Sequence, residues 1–194
     1  WPAIFCFLTF FKPCNSFFYL MKFDSIGNRI WIKKAGTNHN NFLEGIKMDH
    51  SGNIYILSQT YEKYAAVNPQ ILLIKFDSDG NELWKKIYDT PKRDHPYDIA
   101  IDKNDNLYIS GMTTGTFSGN INRGEYDIFL MKLDSDGNRK WTKMVGSRRD
   151  DRVRGIAYDG EEGIYVCGST EGSLPGHKNK GSDDAFLIKF STNP

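Results

Sequence analysis

Ten side chains stand out as candidates for chemistry: Arg93, His95, Arg123, Tyr126, Arg148, Arg149, Asp151, Arg152, His177 and Lys178. A guanidinium is a planar, permanently charged fork that pairs with carboxylate or phosphate, and a tyrosine adds a ring and a hydroxyl. Together they predict a surface that captures an acidic sugar, a phosphate or a protein partner. The same stretches hold Lys92, Asp94, Asp150 and Lys180. The competing reading is therefore a solvated rim of mixed charge whose members pair locally and contribute little.

Other chemistries find less support. Asp77, Asp79 and Asn81, and likewise Asp134, Asp136 and Asn138, supply oxygens of the kind calcium takes. A full calcium loop needs more ligands and a distal bidentate Glu, and tight turns already account for these residues. His39, His50, His95 and His177 are scattered without ligand spacing. Neither a metal nor a cofactor is expected. No nucleophile elbow, phosphate-cradling loop or zinc-protease motif is present. Lys+Arg number 25 against 24 Asp+Glu, which removes the positive excess a nucleic-acid binder draws on. The three cysteines, Cys6, Cys14 and Cys167, cannot all pair with one another and have no zinc spacing.

The elements that position these candidates come from an internal repeat. Lys22, Lys75, Lys132 and Lys189 lie 53, 57 and 57 residues apart, each in a run of the Lys-Phe-Asp-Ser type. Nine residues after the first three stands a tryptophan, Trp31, Trp84 or Trp141. Eighteen residues on comes Asp49, Asp102 or Asp159, and six further Tyr55, Tyr108 or Tyr165. These spacings hold in every copy, so the difference in period falls between the tyrosine strand and the next lysine. Residues 61–70 are a shorter loop than 114–127 or 171–184. A fixed framework with one variable loop is how a scaffold presents a surface. The repeated tryptophans and tyrosines read as packing between units.

Each unit reads as four short strands, rich in β-branched and aromatic residues and bounded by Gly, Asn and Asp. Gly155–Asp159, Ile164–Gly168 and Ile128–Leu133 exemplify the first three, and Glu82–Ile87 the fourth, which carries the tryptophan. Along the third strand Phe129, Met131 and Leu133 alternate in direction with Leu130 and Lys132. Asp-Gly and Gly-Asn pairs at 77–81 and 134–138 accept positive φ in hairpin turns. Four-stranded antiparallel meanders at this period predict an all-β, partial β-propeller.

The run Asp183–Phe190, the turns at 77–81 followed by Trp84, the Gly-Ile-Ala-x-Asp-like strands and the stretch Gly168–Gly176 resemble the SBBP (seven-bladed β-propeller) repeat family. The resemblance covers roughly residues 17–191. It implies a propeller, no general catalytic motif, and a bacterial secreted, surface or lipid-anchored setting.

On that resemblance residues 17–36 are the outer half of one blade, 43–89 and 97–146 are whole blades, and 153–191 are three strands of another. The sum, about three and a quarter blades, leads us to expect a fragment of a larger propeller, or closure by self-association. Residues 1–16 are set apart as an apolar segment, either the edge of a fragment or a signal remnant with Cys14 as a lipidation site. The long loops 37–42, 60–70, 89–96, 113–127, 147–152 and 170–184 are expected to share one face. The favoured function is a non-catalytic binding or scaffold module for a protein or glycan, extracellular or at the cell surface. Nucleic acid is not expected as a partner, and a membrane only through the lipid anchor. The alternatives are a carbohydrate-active enzyme with carboxylates in a channel or in further blades, and a purely structural spacer.

Overall fold

The structure, a computed structural model, describes residues 4–8, 17–61 and 68–192. Among these residues regular structure is all β, in four antiparallel sheets. The chain divides into two compact units, Trp1–Tyr88 and Asp89–Pro194. The first unit holds β1 (Ile4–Leu8), β2 (Phe18–Phe23) and β3 (Arg29–Ala35) in one sheet. Its second sheet is β4 (Asn40–Met48), β5 (Ile54–Tyr61), β6 (Gln70–Phe76) and β7 (Glu82–Tyr88). The second unit holds β8 (Asp94–Ile101), β9 (Leu107–Thr113), β10 (Asp127–Leu133) and β11 (Arg139–Val145), then β12 (Asp151–Tyr158), β13 (Gly163–Thr170) and β14 (Asp184–Ser191). Each sheet is a meander in chain order, as the repeat predicts.

Two differences from the sequence reading have physical causes. Part of the apolar segment 1–16 is a strand: Ile4–Leu8 pairs antiparallel with Leu8 opposite Phe18 and Ile4 opposite Lys22, giving the first sheet three strands. Cys14 and residues 62–67, within the short loop, lie outside the described residues. The first strand of each repeat also begins earlier than expected. A bulge at Leu43/Gly45, Pro96/Asp98 or Val153/Gly155 inserts one residue, and pairing resumes beyond it. Residues 40–42, 94–96 and 151–152 are therefore strand rather than loop.

The constant spacings mark one cross-strand row. Tyr55 lies opposite Lys75, and Lys75 opposite Trp84. Tyr108, Lys132 and Trp141 repeat the row. The ammonium of Lys75 sits 5.0 Å from the Tyr55 ring centre and that of Lys132 5.3 Å from Tyr108. Each tryptophan meets its tyrosine edge-on, at 6.0 Å for Trp84 and 6.1 Å for Trp141. The repeat aspartate closes the cluster. Tyr55 Oη donates to Asp49 (3.2 Å) and Tyr108 Oη to Asp102 (3.0 Å). Buried hydroxyls need such acceptors, which fixes the separation of six residues.

Alternate residues of the third strands interleave between sheets. In the first unit Phe18 and Leu20 pack with Ile54, Ile56, Leu72, Ile74 and Phe76. In the second, Tyr108, Ile128 and Leu130 pack with Val153, Ile164, Val166 and Phe190. Each such side chain contributes roughly 1.5–3 kcal/mol when fully buried. Trp31 and Trp141 lie against these two cores, as expected of packing residues. Across each interface a repeat lysine reaches a backbone carbonyl. Lys22 Nζ donates to Ser78 O and Lys132 Nζ to Thr192 O, both at 2.9 Å.

The hairpin turns share one construction. Asp77 Oδ1 accepts from the amides of Asp79 and Asn81, Oδ2 accepts from Asn81 Nδ2, and Gly80 takes φ of 76°. The turn reading of these residues thus holds, and Asp134–Asn138 repeats it. The same box closes 24–28, 49–53 and 102–106.

Candidate functional site

Opposite those turns, the long loops of the second unit rest on buried anchors. Asp94 is fully buried and accepts from Thr90 N (2.6 Å), Thr90 Oγ1 and Thr113 Oγ1 (2.6 Å). Asp151, equally buried, accepts from Ser147 N at 2.6 Å. The buried Asp127 Oδ2 accepts from Arg123 N, and the half-buried Asp184 Oδ2 from Lys180 N, both at 2.7 Å. Asn122 Nδ2 donates to Thr113 O and Gly115 O, and Asn179 Nδ2 to Thr170 O. In each loop an Asp accepts from the amide four residues earlier, and in the two loops that lead into β10 and β14 an Asn also crosses the loop. Burial raises the pKa of Asp94, Asp127 and Asp151, and the charge of Asp151 adds to the effect on Asp127. Gly146 leaves room here, because a Cβ would collide with the Asp127 carboxylate.

These anchors hold exposed residues outward. Arg123 and Arg148 line a cleft of about 340 Å³ with Ser147, Ser173 and Pro175. Arg148 and Ser173 also line a neighbouring cleft of about 770 Å³, with Arg149, Asn179 and Ser182 on its walls. Glu171 and Asp183 add two carboxylates to that second cleft. All three arginines are solvent-exposed. Their loops are stitched together, since Asp151 N donates to Tyr126 O (2.8 Å) and Glu171 N to Asp150 O (2.9 Å). The arrangement offers three guanidinium groups flanked by hydroxyl and amide side chains, a set suited to carboxylate or phosphate oxygens.

The remaining candidates divide. His95 and Tyr126 come together, with rings 5.5 Å apart and Tyr126 Oη 3.4 Å from His95 Nε2. Burial, then the nearby Arg93 charge, hold the imidazole pKa below its usual value. Arg93 is exposed, and its carbonyl accepts from Thr114 N. His177 and Lys178 line an adjoining groove of about 670 Å³ with Leu174 and Phe186, which shares Pro175 with the first cleft and Asn179 with the second. Two candidates face structural partners instead. Asp151 is an internal anchor, and Arg152 bridges Asp150 (2.9 Å) and Glu171 (3.0 Å). Sequence reasoning missed Thr90, Asp94, Ser147, Asp127 and Asp184. The signal was present: Thr37 and Asn41, Thr90 and Asp94, Ser147 and Asp151 are spaced by four and recur at the repeat periods.

Meanders copied from one repeat and packed sheet upon sheet within each unit make an all-β fold of the partial β-propeller kind. Residues 89–118 match the family model of the SBBP beta-propeller repeat. Over 134 residues the chain is 24% identical to the regulatory protein FlaEY of Caulobacter vibrioides, covering 63% of this chain and 14% of that protein. It thus spans a small part of the curated relative it matches. Among solved structures, a variant of the Synechocystis apocarotenoid oxygenase aligns with 98% of this chain and 49% of its own, at 11% identity and a TM-score of 0.50. That likeness concerns the fold alone. A protein of unknown function from Bacteroides caccae aligns with 91% of this chain and 74% of its own, at 11% identity and a TM-score of 0.37.

Proposed function

We propose that the chain is a non-catalytic binding module that captures an acidic ligand, on a protein or a glycan, through the clefts of Arg123, Arg148 and Arg149. One observation carries the reading: the exposed Arg123, Arg148 and Arg149, from two loops, line adjoining clefts that share Arg148 and Ser173, while buried carboxylates hold those loops beneath. A pre-formed site loses little conformational freedom on binding. The name of the FlaEY relative, a regulatory protein, agrees with a role in recognition. The SBBP resemblance suggests that this role is exercised outside the cell or at its surface.

The test is to screen the chain against arrays of acidic glycans and acidic peptides, then repeat with Arg148→Ser/Arg149→Ser. The double variant should bind at least tenfold more weakly, its melting temperature should not change, and the salt dependence of the remaining binding should flatten. Equal binding by both proteins would place the ligand elsewhere. Replacing 171–183 with Gly/Ser should also abolish capture.

A further inference from the structure

The two arginine clefts differ in charge. In the smaller, of about 340 Å³, the charged lining residues are Arg123 and Arg148. In the larger, of about 770 Å³, Arg148 and Arg149 are joined by Glu171 and Asp183. Arg148 and Ser173 line both, so a ligand spanning the shared wall passes from a cationic cleft into a mixed one.

The charged groups here are held to different degrees. Glu171 is fixed: its amide donates to Asp150 O at 2.9 Å, and its Oε1 lies 3.0 Å from Arg152. Asp183 is exposed and makes no hydrogen bond or salt bridge among the described residues. Its charge is felt all the same. A hydrogen bond to Asp150, and then the charges of Glu171 and Asp183, raise the pKa of Arg152. The guanidinium groups of Arg123, Arg148 and Arg149 likewise have no salt bridge among the described residues, which leaves them open to a ligand. Neither cleft is lined by an aromatic ring, and Pro175 is the one apolar side chain among their lining residues. A protein partner is anchored by large apolar groups in pockets, so this lining favours a compact polar group on a polar carrier.

Uniform negative charge fits the pair of clefts badly. One oxyanion finds two open guanidinium groups in the smaller cleft. A second, in the larger, meets Glu171 and Asp183, and like charges set together reject such a partner. An ammonium there meets two carboxylates instead. With Arg148 engaged by the oxyanion, Arg149 is the one lining cation left to oppose it.

We propose that the adjoining clefts take one zwitterionic group of the phosphoethanolamine kind, carried on a glycan. Its oxyanion sits against Arg123 and Arg148, and its ammonium, a few bonds away, against Glu171 and Asp183. The inference rests on the arginine-cleft reading and narrows its ligand from an acid to an acid with a neighbouring amine.

The probes are O-phosphoethanolamine and ethyl phosphate, which lacks the amine, titrated by calorimetry into the 194-residue chain. Phosphoethanolamine should bind about fivefold more tightly. Asp183→Asn should narrow that gap with no change in melting temperature, and Asp183→Asn/Glu171→Gln should close it. Ethyl phosphate should bind both variants no more weakly than the unaltered chain, which shows that the site is still folded. Arg123→Ser should weaken both probes alike. Vesicles of phosphatidylethanolamine should leave the chain in solution. Equal affinity of the two probes, or a preference that survives the double substitution, overturns the inference and leaves the arginine clefts standing. Sedimentation with the vesicles overturns the glycan carrier. Failure of both probes to bind at millimolar concentration removes the arginine-cleft reading as well.

Discussion

The two ends of the sheets are built on opposite principles. At one end the same turn is written repeatedly: an aspartate accepts two amides, and an asparagine four residues on clasps its outer oxygen. Where the asparagine is missing, at Asp159–Gly163, Lys189 takes that oxygen at 3.1 Å. At the other end only the buried anchors recur, and what they hold outward differs from loop to loop. Repetition at the turns keeps register. Repetition confined to the base of the loops leaves the rim free to vary, and a ligand surface needs that freedom.

The largest test of this contrast is Asp94→Ala. It strands a backbone amide and two threonine hydroxyls in the interior, and should cost about 3 kcal/mol in urea denaturation. Asp136→Ser, at an exposed turn position, should change stability by less than about 0.5 kcal/mol. Equal losses would erase the distinction. Next comes Gly80→Ala, which forces an L side chain into φ of 76° and sets a Cβ 2.9 Å from Trp31 and Lys33. About 1–2 kcal/mol should be lost.

A third test uses a position where the copies disagree. Glu44 at the bulge of β4 aligns with Tyr97 and Arg154, and burial pushes its pKa up to about 7. The fold favours the neutral acid. Its contribution is therefore complete below the usual carboxylate range near 4.5 and is lost as pH rises through about 7. Discounted for partial solvent access, the loss is on the order of 1 kcal/mol. Glu44→Gln should flatten that slope between pH 4.5 and 8. The smallest effect is Asp105→Gly. Asp105 has φ of 60° where four other copies of this turn place Gly27, Gly52, Gly80 and Gly137, and relief of that strain should add about 0.5 kcal/mol.

Much of the architecture was legible because it repeats. Lys, Trp, Asp and Tyr at constant spacing proved to be one cross-strand row with its hydrogen-bonded acceptor, and packing of that row admits little variation. The site was legible in part. Arg123, Arg148 and Arg149 could be nominated from residue type and loop position, and they do share clefts. Asp151 and Arg152 look equally chemical in one dimension, yet one is an internal anchor and the other is held between two carboxylates. Burial and partner choice separate these cases, and neither is visible in composition. The bulges escaped notice for a similar reason: one inserted residue reverses the alternation without leaving a mark in hydropathy.

The reach of Lys22 to Ser78 O, and of Lys132 to Thr192 O, has a consequence for how such chains evolve. A main-chain oxygen is present whatever residue is encoded, so this tether survives substitution at its receiving end. Gene duplication can then splice one copy beside another without a matched pair of mutations, provided the bend that offers the oxygen is retained.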